Sequence, residues 1–146
     1  MLITFSKNTP KYVRDFTYFA ARELGLDVLR GDVEFKYCQG SIQEESFGLC
    51  WGDNREAELH IATRQFGSSI SRENKLKTVA HELTHARQYL KRELVAADAD
   101  VEKPVAVWCG KEVQYEYADE HNQPWEVEAR VLEEKIYLKW ENKRYK

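Results

Sequence analysis

Between Ser71 and Leu94 the chain places apolar residues at Leu76, Val79, Leu83, Ala86, Leu90 and Leu94, at spacings of three and four. That period belongs to a helix with one buried stripe. It predicts a helix over 72–94, with Ser71 as N-cap and Glu73 in the first turn, where the helix dipole favours an acid. A stripe this long must be covered, so the rest of the chain has to supply a surface for it. At about 100° per residue, His81, Thr84, His85 and Gln88 point nearly the opposite way. The two histidines are therefore not simply core residues.

The flanking segments supply that surface. Residues 10–24 carry Val13, Phe16, Ala20 and Leu24 at helical spacing, with Thr9 as expected N-cap, Pro10 in the first helical position and Gly25 at the C-terminal stop. Three runs read as strands: 33–38, 46–51 and 57–63, the last alternating Leu59 and Ile61 with Glu58 and His60. Gly52, Asp53 and Asn54 are turn residues, so the second and third runs are expected to form a hairpin. A second hairpin is expected from 105–108 and 113–117 around Cys109 to Glu112, followed by a polar loop and a last helix opened by Pro124. Its stripe is Trp125, Ala129, Leu132, Ile136 and Trp140. Helix, strands, helix, hairpin, helix is an α+β order, and we expect one domain over 1–146.

Composition narrows the function. With 25 acids against 22 bases, the charge is too balanced for a general nucleic-acid or membrane surface. The basic end from Lys139 to Lys146 reads as a solvated helix end. Three cysteines, Cys38, Cys50 and Cys109, without a C-x-x-C pair argue against a disulfide framework or a Cys-rich structural metal site. No signal-peptide pattern opens the chain and no apolar run is long enough to span a bilayer. A soluble, cytoplasmic chain beginning near Met1, with a monomer as the default, is expected.

The chemistry is concentrated in His81-Glu82-Leu83-Thr84-His85, an H-E-x-x-H pattern well inside the long helix. Residues four apart share a helix face, so two imidazoles can converge on one ion. Glu82, one residue on, is rotated out of coordination but can reach a water at the metal as general base. A catalytic Zn²⁺ site wants a third protein ligand. His121 and Cys109 have suitable chemistry but fall in an expected loop and turn. The final helix offers Glu126 and Glu128, and periodicity does not choose between them. Tyr115, Tyr117 and His121 precede those acids and are candidate oxyanion or substrate contacts.

H-E-L-T-H-A-R-Q at 81–88, W-x-G-K at 108–111 and P-W-E-V-E-A at 124–129 together resemble the small zincin-like metallopeptidases of phages and bacteria, distantly similar to gluzincins and SprT-like proteins. The resemblance covers about His81 to the C-terminus. It implies a zincin-like fold, Zn²⁺ as cofactor, and a peptide or protein substrate hydrolysed with Glu82 as base. It also implies Glu126 as third ligand, the first acid of an E-x-x-A pattern closed by Ala129. Such families often carry an aspartate one turn after the ligand to support a zinc histidine; here Arg130 stands there. In zincins the strand before the active helix is an edge that takes an extended peptide, a place that 57–63 would fill. The rival readings are a zinc-binding module without activity and a DNA-associated protease, the second disfavoured by the net acidity.

Overall fold

A computed structural model describes residues 1–38, 47–96 and 104–144. The architecture is α+β. The chain opens with strand β1 (Leu2–Phe5), then helix α1 (Lys11–Glu23), and β2 (Asp32–Cys38). The hairpin of β3 (Gly48–Gly52) and β4 (Glu56–Ala62) follows, then a two-residue ribbon of β5 (Arg64–Gln65) and β6 (Ser68–Ser69). Helix α2 (Arg72–Leu90) leads to β7 (Leu94–Ala96), β8 (Val105–Trp108), β9 (Lys111–Gln114) and the last helix, α3 (Pro124–Arg144).

The main sheet has the order β1-β2-β4-β3, with β1, β2 and β4 parallel and β3 antiparallel to β4. Parallel neighbours need a crossover, which α1 provides between β1 and β2. The inward residues Val33 and Phe35 of β2 lie beside Ala57 and Leu59 of β4, and all four are buried against α1 and α2. Leu76, Val79, Leu83 and Ala86, the expected stripe of α2, are fully buried in the same core.

The 57–63 segment is not an edge. It pairs with β2 on one side and β3 on the other. The reason lies in what each strand of the hairpin can bury: β4 offers Ala57, Leu59 and Ile61 to the core, whereas β3 begins and ends in glycine. The turn between them, in which Asp53 Oδ1 accepts from the backbone N–H groups of Arg55 and Glu56, folds β3 to the outside. Thus β3 is the outermost described strand on that side of the sheet.

Other boundaries shift as well. Helix α2 stops at Leu90, capped by Lys91, and Arg92 takes a left-handed conformation at φ 58°. Leu94, expected to close the helical stripe, instead opens β7 and pairs with Trp108. Ser71 does cap α2, accepting from Asn74 N–H at 3.1 Å. Pro10 rather than Thr9 is the N-cap of α1, while the Thr9 hydroxyl lies 3.1 Å from that of Ser6. The second hairpin is tighter than expected: Trp108 pairs directly with Lys111, so Cys109 (φ 51°) and Gly110 (φ 84°) make the whole turn. Two positive φ values suit the twist of a two-residue hairpin. Strand β1 falls outside the expected elements: its four residues, LITF, are too few to show a clear alternation, and its pairing is parallel to a distant strand.

Helix α3 packs along α2. Its C-terminal half joins the main core through Ile136 and through Trp140, whose ring meets Phe16 edge-on at 5.5 Å. Its N-terminal end packs against the second hairpin, where Trp125, Leu94 and Ala106 are buried beside Trp108, Tyr89 and Tyr115. The two anchors fix the rotation of α3 about its axis and so decide which acids face α2. Among the described residues, no helix is long and apolar enough to cross a membrane.

Candidate metal centre

His81 and His85 project from α2 one turn apart, their ring centroids 4.9 Å from each other and their planes at 81°. Glu126, in the first turn of α3, brings one carboxylate to both: Oε2 lies 3.0 Å from His81 Nε2 and Oε1 lies 3.0 Å from His85 Nε2. Donor atoms of the three residues all lie within 4.8 Å of one another, and the group could hold a metal ion. Ligands about 2.0–2.1 Å from a tetrahedral ion stand roughly 3.3 Å apart. The two carboxylate–imidazole separations are within a few tenths of an ångström of that spacing.

The far side of each imidazole is also held. His81 Nδ1 lies 3.1 Å from Glu133 Oε1. His85 Nδ1 lies 2.7 Å from Gln88 Oε1. Gln88 is fully buried, and its amide nitrogen donates to the Trp125 carbonyl at 3.0 Å and to Glu128 Oε1 at 3.2 Å, which leaves its oxygen to accept from His85. Both histidines therefore keep a proton on Nδ1 and present Nε2 to the shared point, the orientation a metal-binding histidine requires.

Charge follows from this arrangement. Burial disfavours the imidazolium of His81, but hydrogen bonds to Glu126 and Glu133 and the nearby Glu82 carboxylate outweigh it and hold the group up at about 10. His85 is raised against the same burial by Glu126 and Glu82. Burial would raise the Glu126 carboxyl; the two imidazoles reverse that and hold it far below the usual carboxylate range.

Glu82 is buried and lies under β3. A side chain at Gly48 would come within 3.0 Å of Glu82 Cγ and 2.6 Å of Thr78 Cγ2, so the strand passes the helix at the distance only glycine permits. Tyr89, one turn beyond His85, carries a phenol pushed up to about 12 by burial, with the Glu82 carboxylate contributing, and it is a hydrogen-bond donor at neutral pH.

The remaining expected residues lie elsewhere. Glu128 accepts from Arg87 Nη2 at 2.6 Å as well as from Gln88, and does not join the histidines. His121 is exposed and engaged by Arg130, whose guanidinium reaches both its ring nitrogen and its carbonyl. Arg130 is thus turned toward the loop, and Glu133, two turns after Glu126, meets His81 instead. Tyr115 packs edge-on against Trp125 at 5.3 Å. Cys109 is exposed in its hairpin turn. The side chain of Tyr117 lies outside the described residues. Sequence reasoning missed Glu133, Tyr89 and Gly48; only the last left a signal, a glycine inside a strand pattern. Compared with protein-family models, curated proteins and solved structures, the chain matches none of them.

Proposed function

We propose that this chain is a zinc-dependent peptidase of zincin-like fold, in which His81, His85 and Glu126 hold the metal and Glu82 is the general base. The observation that carries this reading is the convergence of two Nε2 atoms and one carboxylate from two helices, with a second, non-coordinating carboxylate one residue after the first histidine. Nitrogen and oxygen donors in that number suit Zn²⁺ with a position left for water, and the bound ion would polarise the scissile carbonyl.

The chain's own residues supply the rest. Glu82 accepts a proton from the attacking water and returns it to the departing amide nitrogen. Its burial beneath Gly48 limits the water around it and fixes where that proton travels. Glu133 and Gln88 hold the imidazoles so that neither can rotate away from Glu126. Strand β3, unpaired on its outer side among the described strands and lying directly over Glu82, is the place for an extended peptide to add to the sheet. This role moves from 57–63 to the neighbouring strand.

The test is metal content and peptide cleavage measured together. Wild type and Glu82→Gln should each retain about one zinc per chain after dialysis, while only the wild type cleaves a denatured protein substrate. Failure of wild type to retain zinc, or full cleavage by Glu82→Gln, overturns the assignment.

A further inference from the structure

On the face of the main sheet turned away from α2, a second group of reactive side chains is aligned. Cys38, the last residue of β2, has its Sγ 3.8 Å from Nδ1 of His60 on β4. The opposite ring nitrogen, Nε2, lies 2.7 Å from Glu58 Oε2. Trp51 of β3 lies over the same imidazole, ring centroids 4.7 Å apart and planes at 35°. The hydrogen bond from His60 holds the Glu58 carboxyl below its ordinary range, with Lys36 contributing. A carboxylate can only accept, so the ring proton sits on Nε2 and the lone pair of Nδ1 faces the thiol. The thiol hydrogen has a second acceptor at 3.8 Å, the Lys36 carbonyl, but only the imidazole can take the proton away.

We propose that Cys38, His60 and Glu58 form a thiol modification site in which Cys38 is oxidised by small hydroperoxides. Cys38 is half-buried, and burial raises its thiol above the ordinary value, so the group rests protonated and needs a base as it reacts. In the step, the Sγ proton passes to His60 Nδ1 while the sulfur attacks the terminal peroxide oxygen. An S–O bond forms and the O–O bond breaks. The departing alkoxide or hydroxide takes the proton from Nδ1, and the products are a sulfenic acid and an alcohol or water. The sulfur loses two electrons, which the peroxide gains. Small size follows from the partial burial of the thiol. Lys36, whose ammonium is shared with Glu34 and Glu58, lies near the thiol and partly offsets the effect of burial.

The test uses the other cysteines as internal standards. Cys109 is exposed in a hairpin turn, and among the described residues no histidine or carboxylate pairs with its thiol. Intact protein is exposed to hydrogen peroxide at pH 7 with dimedone present, and adducts at each cysteine are timed by peptide mass spectrometry. With His60 as base, Cys38 should label about tenfold faster than Cys109 despite its lower exposure. His60→Gln and Glu58→Gln should each lower the Cys38 rate about tenfold and leave Cys109 unchanged. Cys109 labelling as fast as Cys38 in the wild type overturns the proposal without recourse to any variant. So does an unchanged Cys38 rate in a folded His60→Gln protein.

Discussion

Gly48→Ala probes a close approach between the sheet and the helix bearing the proposed base. The new methyl would sit 2.6 Å from Thr78 Cγ2, 3.0 Å from Glu82 Cγ and 3.2 Å from the His60 carbonyl. Carbon atoms pack at about 3.5–4.0 Å, so the overlap with Thr78 is roughly 1 Å and must be relieved by moving β3 or α2. Overpacking of this kind costs about 1–3 kcal/mol. For a chain of this length, that lowers the thermal midpoint by roughly 2–12 °C. Thr78→Ser removes the offending Cγ2 and keeps the hydroxyl bond to the Asn74 carbonyl. In that background the penalty of Gly48→Ala should shrink by about 1 kcal/mol, read as the coupling term of a double-mutant cycle in urea. The overlap with Glu82 persists in the double variant, so peptide cleavage should stay at least tenfold down although stability recovers. A Gly48→Ala protein as stable as wild type, or a penalty of the same size with serine at 78, would refute the reasoning.

The choice of third ligand is tested by zinc content: Glu126→Ala should lose the ion, whereas Glu128→Ala should retain it and lose stability through Arg87 and Gln88. Glu133→Ala should weaken zinc binding about 10–100-fold in a competition titration with a chromogenic chelator while leaving the fold intact by circular dichroism. Chelator-treated protein should show its highest thermal midpoint between roughly pH 4.5 and 6.5. The His81 contribution is complete below its ordinary value of 6.5 and is lost as pH rises toward about 10. The Glu126 contribution is present above its ordinary value of 4.5 and is lost as pH falls well below it. A midpoint in chelator that climbs from pH 6 to pH 9 would contradict the hydrogen bonds drawn at this site.

Much of the scaffold could be read from periodicity because burial imposes it locally. The stripe Leu76, Val79, Leu83 and Ala86 is buried as its spacing requires, and the face opposite it does carry His81 and His85 toward a second helix. The two hairpins were legible from their turns, and what failed were pairings with no short turn between the partners. Leu94 continues the spacing of α2, yet Arg92 turns the chain and Leu94 pairs with Trp108 across a sheet. The position of β4 inside the sheet depends on a parallel register with β2, and parallel partners leave no turn between them to announce the pairing.

The two acids of the last helix show why the site itself was only half legible. Glu126 and Glu128 lie about equally far from the stripe of α3, so the helix alone does not rank them. What separates them is the rotation set by distant anchors: Trp125 buried under the second hairpin at one end, Ile136 and Trp140 seated against the main core at the other. With that rotation fixed, Glu126 faces the histidines, Glu128 meets Arg87 and Gln88, and Glu133, two turns on, comes round to His81. The family resemblance puts the supporting acid one turn after the ligand, at a position Arg130 occupies. A glutamate two turns along returns to nearly the same face of a helix, with a longer side chain to close the remaining gap. Support for a ligand is therefore a property of reach across the α2–α3 interface, and spacing within one helix constrains it only to a face.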